Sequence, residues 1–158
     1  MAQPVKFPPN TIHLGGDVTI VNEVAAGVAI VPGMLIERYN SSGTSLMRPC
    51  TTVTAIGVAA MFALNQSMLN KGVGLPAPGV AADNYAVGDL VEAAIGHKGS
   101  TFWALVATAA PAIVAGDKLE SAGDGTLRKW TTGTPVALAL EGLTNVSGAN
   151  ARLRAEVI

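Results

Sequence analysis

The chain is poor in the residues that carry most protein chemistry. It has one cysteine, Cys50, among 158 residues, so it forms no internal disulfide and holds no cysteine cluster for zinc. Its only histidines are His13 and His97. Charged residues make up 13% of the sequence, ten basic against eleven acidic for a net charge of −1, where globular proteins average roughly 25%. No basic run or stripe exists to neutralise phosphates or an anionic lipid surface, which argues against nucleic-acid and membrane-surface partners. Long apolar runs are missing too. The uncharged stretches 49–70 and 99–116 are interrupted by Asn65, Gln66 and Ser67 and by Pro111, so neither reads as a membrane span of about 20 residues. The opening carries Pro4, Pro8 and Pro9 without the apolar centre of a secretory leader. Aromatics are scarce, at 4%. A core must then be built from Val, Ile, Leu and Ala, whose narrow side chains suit a tightly closed small barrel.

What the chain does have is punctuation. Eighteen glycines and nine prolines divide it into strand-like pieces every 8–12 residues or so, the signature of a mainly β protein, as a small barrel or sandwich. One phrase recurs three times: Val31-Pro-Gly33-Met-Leu-Ile-Glu37, Ala86-Val-Gly88-Asp-Leu-Val-Glu92 and Val114-Ala-Gly116-Asp-Lys-Leu-Glu120. Glycine accepts the positive φ of a tight corner, so each phrase reads as a turn that launches a strand. After the first and third phrases, Asn40-Ser-Ser-Gly43 and Gly123-Asp-Gly125 supply hairpin chemistry, and Leu with Arg48 or Arg128 occupies the return strand. This pattern suggests a degenerate duplication over 25–64 and 107–143. Leu90–Ile95 and Thr101–Val106, joined by Gly96-His-Lys-Gly99, read as a further hairpin, and Met61, Leu64 and Met68 allow at most one short helix near 59–70. Residues 1–16 read as an extended N-terminal arm stiffened by Pro8-Pro9, ahead of a β domain over 17–158. High hydrophobic content, 49%, with so little charge leaves apolar surface for a subunit partner or a larger assembly.

No residue set announces catalysis. His97 sits in a turn, where a solvated role is the ordinary one, and His13 has no carboxylate or cysteine at metal-ligand spacing. Cys50 has no nominated base and reads as a small buried hydrophobe. Asp89 with Glu92, and Asp117 with Glu120, point to opposite faces of a strand, so neither makes an acid–base couple. An Asp just after the turn glycine reads instead as a cap for backbone N–H groups, a pattern from which Met34 in the first phrase departs. The glycines lack the Gly-Lys-Ser/Thr of a phosphate loop, and Gly123-Asp-Gly125 lacks the alternating oxygens of a calcium loop. The expectation is a non-enzymatic protein with no metal and no cofactor. Trp103 and Trp130 each follow a turn–strand unit and are candidates for an oligomer interface or for plugs at a barrel end.

The segment Val114–Lys129, together with Val28–Glu37, Tyr85–Glu92, Asn10-Thr-Ile-His-Leu14 and the closing Arg152-Leu-Arg-Ala-Glu-Val-Ile158, resembles the tailed-bacteriophage head decoration, or capsid cement, proteins. The resemblance implies a mainly β structural protein of the virion, made in the bacterial cytoplasm, that binds the outer surface of the expanded head. There it clamps neighbouring major capsid proteins, commonly as an oligomer, with a homotrimer favoured over a dimer. On that reading the arm residues Phe7, Pro8, Pro9, Asn10 and Ile12 contact the capsid by adding a strand to a coat-protein edge. The alternative from another class is a small ligand-carrying or ligand-clasping β module, lipoyl-like or β-clip, for which Lys98 in His97-Lys-Gly99 is the sole attachment candidate.

Overall fold

A computed structural model describes residues 12–52, 60–65, 84–107, 111–143 and 151–158. Among these residues the secondary structure is all strand: β1 (His13–Gly15), β2 (Val18–Ala25), β3 (Leu35–Ser41), β4 (Thr44–Pro49), β5 (Met61–Ala63), β6 (Leu90–Gly96), β7 (Thr101–Val106), β8 (Lys118–Ser121), β9 (Leu127–Lys129), β10 (Pro135–Ala139) and β11 (Ala151–Val157). They form two sheets, one ordered β2-β6-β5-β3-β4, the other β7-β11-β10-β8-β9 with β1 added on the open side of β7. Parallel pairing of Val106 with Leu127 closes the second sheet into a five-stranded barrel. The first sheet is brought round by the parallel bridge Ala26–Met47.

The two sheets share strand order and several bonds at matching positions. Gly27 N–H donates to Met47 O at 2.9 Å, and Ala107 N–H to Leu127 O at 2.9 Å. Ile30 bridges Tyr85 as Ile113 bridges Leu143. Glu37 faces Arg48 across β3–β4 as Glu120 faces Arg128 across β8–β9. Among the described residues the correspondence takes in β2 and β7, β6 and β11, β5 and β10, β3 and β8, and β4 and β9. The hairpins differ in length: the Glu–Arg separation is 11 residues in the first unit and 8 in the second. A two-residue Ser42-Gly43 turn, both residues at positive φ, ends the longer one.

Two local expectations from the sequence are corrected. Leu90–Gly96 and Thr101–Val106 are not a hairpin, because β6 pairs with β2 and β5, whereas β7 pairs with β1, β11 and β9. The turn at Gly96–Gly99 carries the chain from one unit to the next. Met61–Ala63 is a strand, not helix. All three residues are buried because β5 lies between two cores, and an apolar run buried on both faces loses the alternation that marks a strand. Met68 lies outside the described residues.

Each unit has its own core. Val21, Val24, Ala26, Ile30, Ile36, Met47, Met61, Ala63, Tyr85, Val91 and Ala93 fill the first. The second joins Phe102, Ala104, Val106, Leu119, Leu127, Leu153 and Ala155 to Leu35, Cys50, Phe62 and Ala94 from the outer face of the first sheet. Alternation explains the sharing: Ile36 and Met61 point into one barrel, Leu35 and Phe62 toward the other. Phe62 stacks on Phe102 with ring centroids 4.6 Å apart. Backbone bonds cross this seam, Leu35 N–H to Gly125 O at 2.7 Å, Gly125 N–H to Cys50 O at 3.1 Å and Leu105 N–H to Gly33 O at 2.8 Å.

Gly125 holds φ +86° with no room for a side chain, since a Cβ there would lie 2.7 Å from Pro49 Cβ. Gly88 has a similar φ of +91° in open space. Gly88→Ala is therefore expected to cost about 1–2 kcal/mol, the left-handed backbone penalty alone. Gly125→Ala adds the seam clash and is expected to cost roughly 3–5 kcal/mol. Urea unfolding of the two variants side by side measures the difference.

Candidate interaction surfaces

The strongest polar sites are two copies of one device. Glu37 on β3 accepts from Arg48 Nε (2.8 Å), Thr51 Oγ1 (2.8 Å), Thr51 N–H (3.3 Å) and Thr52 Oγ1 (3.2 Å). Glu120 on β8 accepts from Arg128 Nε (2.9 Å), Thr131 Oγ1 (2.8 Å) and Gly133 N–H. Each carboxylate thus bolts the return strand and the chain beyond it to the strand launched by the turn. Burial pushes both carboxyls up, but the hydrogen bonds outweigh it. Thr51, Arg48 and Cys50 hold Glu37 below the usual carboxylate range, and Thr131, Gly133 and Arg128 do the same for Glu120. With their oxygens occupied by fixed donors, these groups hold structure.

The turn phrases also act alike. In each, the glycine N–H donates to a carbonyl of a neighbouring segment of the same chain: Gly33 to Ala63, Gly88 to Ala26 and Gly116 to Ala139, all at 2.7–2.8 Å. Asp89 Oδ2 caps Ala86 N–H at 2.8 Å, and Asp117 Oδ2 caps Val114 N–H at 2.9 Å. Met34 replaces the aspartate in the first phrase, and its Sδ takes the same place, 3.4 Å from Val31 N.

Of the proposed capsid-contact residues, Phe7, Pro8, Pro9 and Asn10 lie outside the described residues. Ile12 does not face outward. It is 1% exposed within the second core, and its carbonyl accepts Trp103 N–H at 2.8 Å. Its side chain is an anchor, because presenting it to a partner would empty a core position. Trp103 is half-buried on β7, on the face opposite Phe102 and Ala104. Trp130 is 43% exposed, with its Nε1–H donated to Gly133 O at 2.7 Å and Lys118 Nζ 5.6 Å from its ring centroid. Trp103 lies on β7 and Trp130 just past the end of β9.

The other candidates are placed individually. His13 Nε2–H donates to the carbonyls of Gly15 and Gly16 at 3.0 and 3.1 Å, and His97 bonds Thr19 Oγ1 at 3.0 Å. Cys50 is buried at the seam, where burial pushes its thiol up. Lys98 is exposed at the turn between the two units. Among the described residues no three His, Cys, Asp or Glu side chains gather as a metal cluster, and no helix is long and apolar enough to cross a membrane.

The repeat exposes a surface that single residues in the sequence do not reveal. In the first unit, cross-strand neighbours Leu35, Phe62 and Ala94 form the covered seam. The matching neighbours in the second unit are Lys118, Leu138 and Glu156. Beside them Trp130, Leu140 and Ile158 are 43%, 39% and 40% exposed. No family model and no curated protein matches the chain.

Two measurements check this electrostatic account. Both bolts have folded-state pKa values below the unfolded value, so their stabilisation is complete above the ordinary glutamate pKa of about 4.3 and is lost as pH falls through the lowered value. Stability is expected to stay level from about pH 7 to 5 and to drop below about pH 4. Glu120→Gln is expected to remove about 2–4 kcal/mol at neutral pH and to flatten that acid limb, both read by urea titrations across pH. Cys50 is expected to resist a thiol reagent in the native protein and to react stoichiometrically once unfolded.

Proposed function

We propose that the chain is a structural protein of a tailed-bacteriophage virion that binds the outer surface of the expanded head and ties neighbouring major capsid proteins together. The observation that carries this reading is the ordered series of Gly-Asp turn phrases on which the resemblance to capsid cement proteins rests. Each forms the same hydrogen-bonded launch of a strand. A scaffold pinned in this way suits a clamp, which must transmit load without rearranging.

The arm supplies the contact. β1 sits at a sheet edge, paired with β7 alone, and Ile12 fixes its start in the core. Ahead of that anchor, Phe7, Pro8, Pro9 and Asn10 add to a coat-protein sheet edge, with backbone hydrogen bonds for affinity. Many copies on one lattice then hold through multivalency. One observation favours the alternative carrier reading, the exposure of Lys98 at a tight turn, where Ser100 N–H returns to His97 O at 2.9 Å. An adduct on Lys98 in the intact mass of the protein isolated from its native source would support that alternative.

Deleting residues 2–10 spares Ile12 and is expected to leave the unfolding midpoint unchanged. The same deletion is expected to abolish co-sedimentation with expanded heads lacking their decoration protein. Undiminished binding by the truncated protein would sink the arm mechanism.

A further inference from the structure

We propose that the outer face of β8, β10 and β11 is a self-association surface, on which a second copy of the chain packs face to face about a two-fold axis parallel to β10. The inference does not depend on shell binding. It starts from the strand β10, whose residues Ala137 and Ala139 are buried in the second core together with Val136 at the bulge, and whose outward face carries Leu138, followed just past the strand by Leu140. A strand apolar on both faces is built for cover on both sides. Its counterpart β5 shows what such cover looks like, since there the outward Phe62 lies under the neighbouring unit.

The charges select a second copy and its orientation. Around this face Arg154 is paired with Glu141 at 3.0 Å, Lys129 with Asp117 at 2.8 Å and Arg128 with Glu120 at 2.9 Å. Lys118 and Glu156 make no ion pair among the described residues. They flank Leu138, one strand away on each side. A two-fold axis running along β10 lays Leu138 and Leu140 on their own copies. It also places Lys118 of each chain opposite the partner's Glu156, forming two ion pairs across the interface. Trp130 beyond Lys118 and Ile158 beyond Glu156 extend the apolar area on either side.

A head-to-tail repeat of the internal seam lacks its plug. The seam is filled by the short loop at Gly125, whereas the first unit has in that place the longer hairpin ending at Ser42-Gly43, exposed from Asn40 to Ser45.

The test uses the full chain, by light scattering after gel filtration at about 100 µM. The wild type is expected at twice the 16.0 kDa chain mass. Lys118→Glu and Glu156→Lys singly are expected to raise the dissociation constant about 100-fold, and the combined swap to restore it to within about 10-fold. Circular dichroism checks that each variant is folded. Leu138→Cys supplies an independent reading. Facing sheets lie about 10 Å apart, so a short bismaleimide is expected to link two chains through this position, with Cys50 buried out of reach. A monomeric wild type, a trimer, indifference to the single reversals, or failure of both the double swap and the cross-link overturns the proposal.

Discussion

Strands β3, β5 and β6 serve two cores at once, and most of the fold depends on this sharing. Ile36, Met61 and Ala93 fill the first barrel, while Leu35, Phe62 and Ala94, each one residue away, close the second. A one-residue slip in register would exchange the two sets and damage both cores together. The wall between the units therefore tolerates little variation. The close approach at Gly125 is part of the same constraint, because Pro49, the Met34 sulfur and the Leu35 carbonyl crowd the space a side chain would need there.

Within each unit the buried carboxylate performs the corresponding task on a smaller scale. A small barrel with narrow side chains gains little from each contact, so its strands need directional ties. Glu37 and Glu120 supply them, each gathering an arginine from the return strand and a threonine three residues further on. A solvent-exposed ion pair would contribute little. Glu120, whose side chain is fully buried, is stabilising only because every donor around it is fixed.

The fold class was legible in the spacing of turns, since Gly33, Gly88 and Gly116 do what positive-φ glycines at strand starts do. The repeat was legible only around those glycines. Val18–Ala25 and Thr101–Val106 occupy matching places yet share nothing in sequence beyond apolar alternation, which every barrel strand has. Gly96–Gly99 misled because turn residues report a reversal of the chain, not which sheet the next strand joins. Met61–Ala63 misled because burial on both faces erases the period. The carboxylate bolts did leave a signal, Arg48 and Arg128 each followed at the third residue by Thr51-Thr52 or Thr131-Thr132. It becomes meaningful only once the two hairpins are superposed. The second unit's exposed face was invisible for the same reason, since Lys118, Leu138 and Glu156 are distant in sequence and meet only through strand register.

The position of β1 has a consequence for how the chain is made. The first described strand does not join the unit that follows it in sequence. It pairs with β7, so that Gly15 meets Thr101, 86 residues later. During synthesis the first unit, from β2 to β6, can assemble from segments already at hand, while β1 waits unpaired for a partner not yet translated. The second barrel in turn closes only when β11, the last described strand, pairs with β7. The first and the last described strands thus meet on the two sides of β7, so the later strand completes the sheet that the earlier one has to wait for.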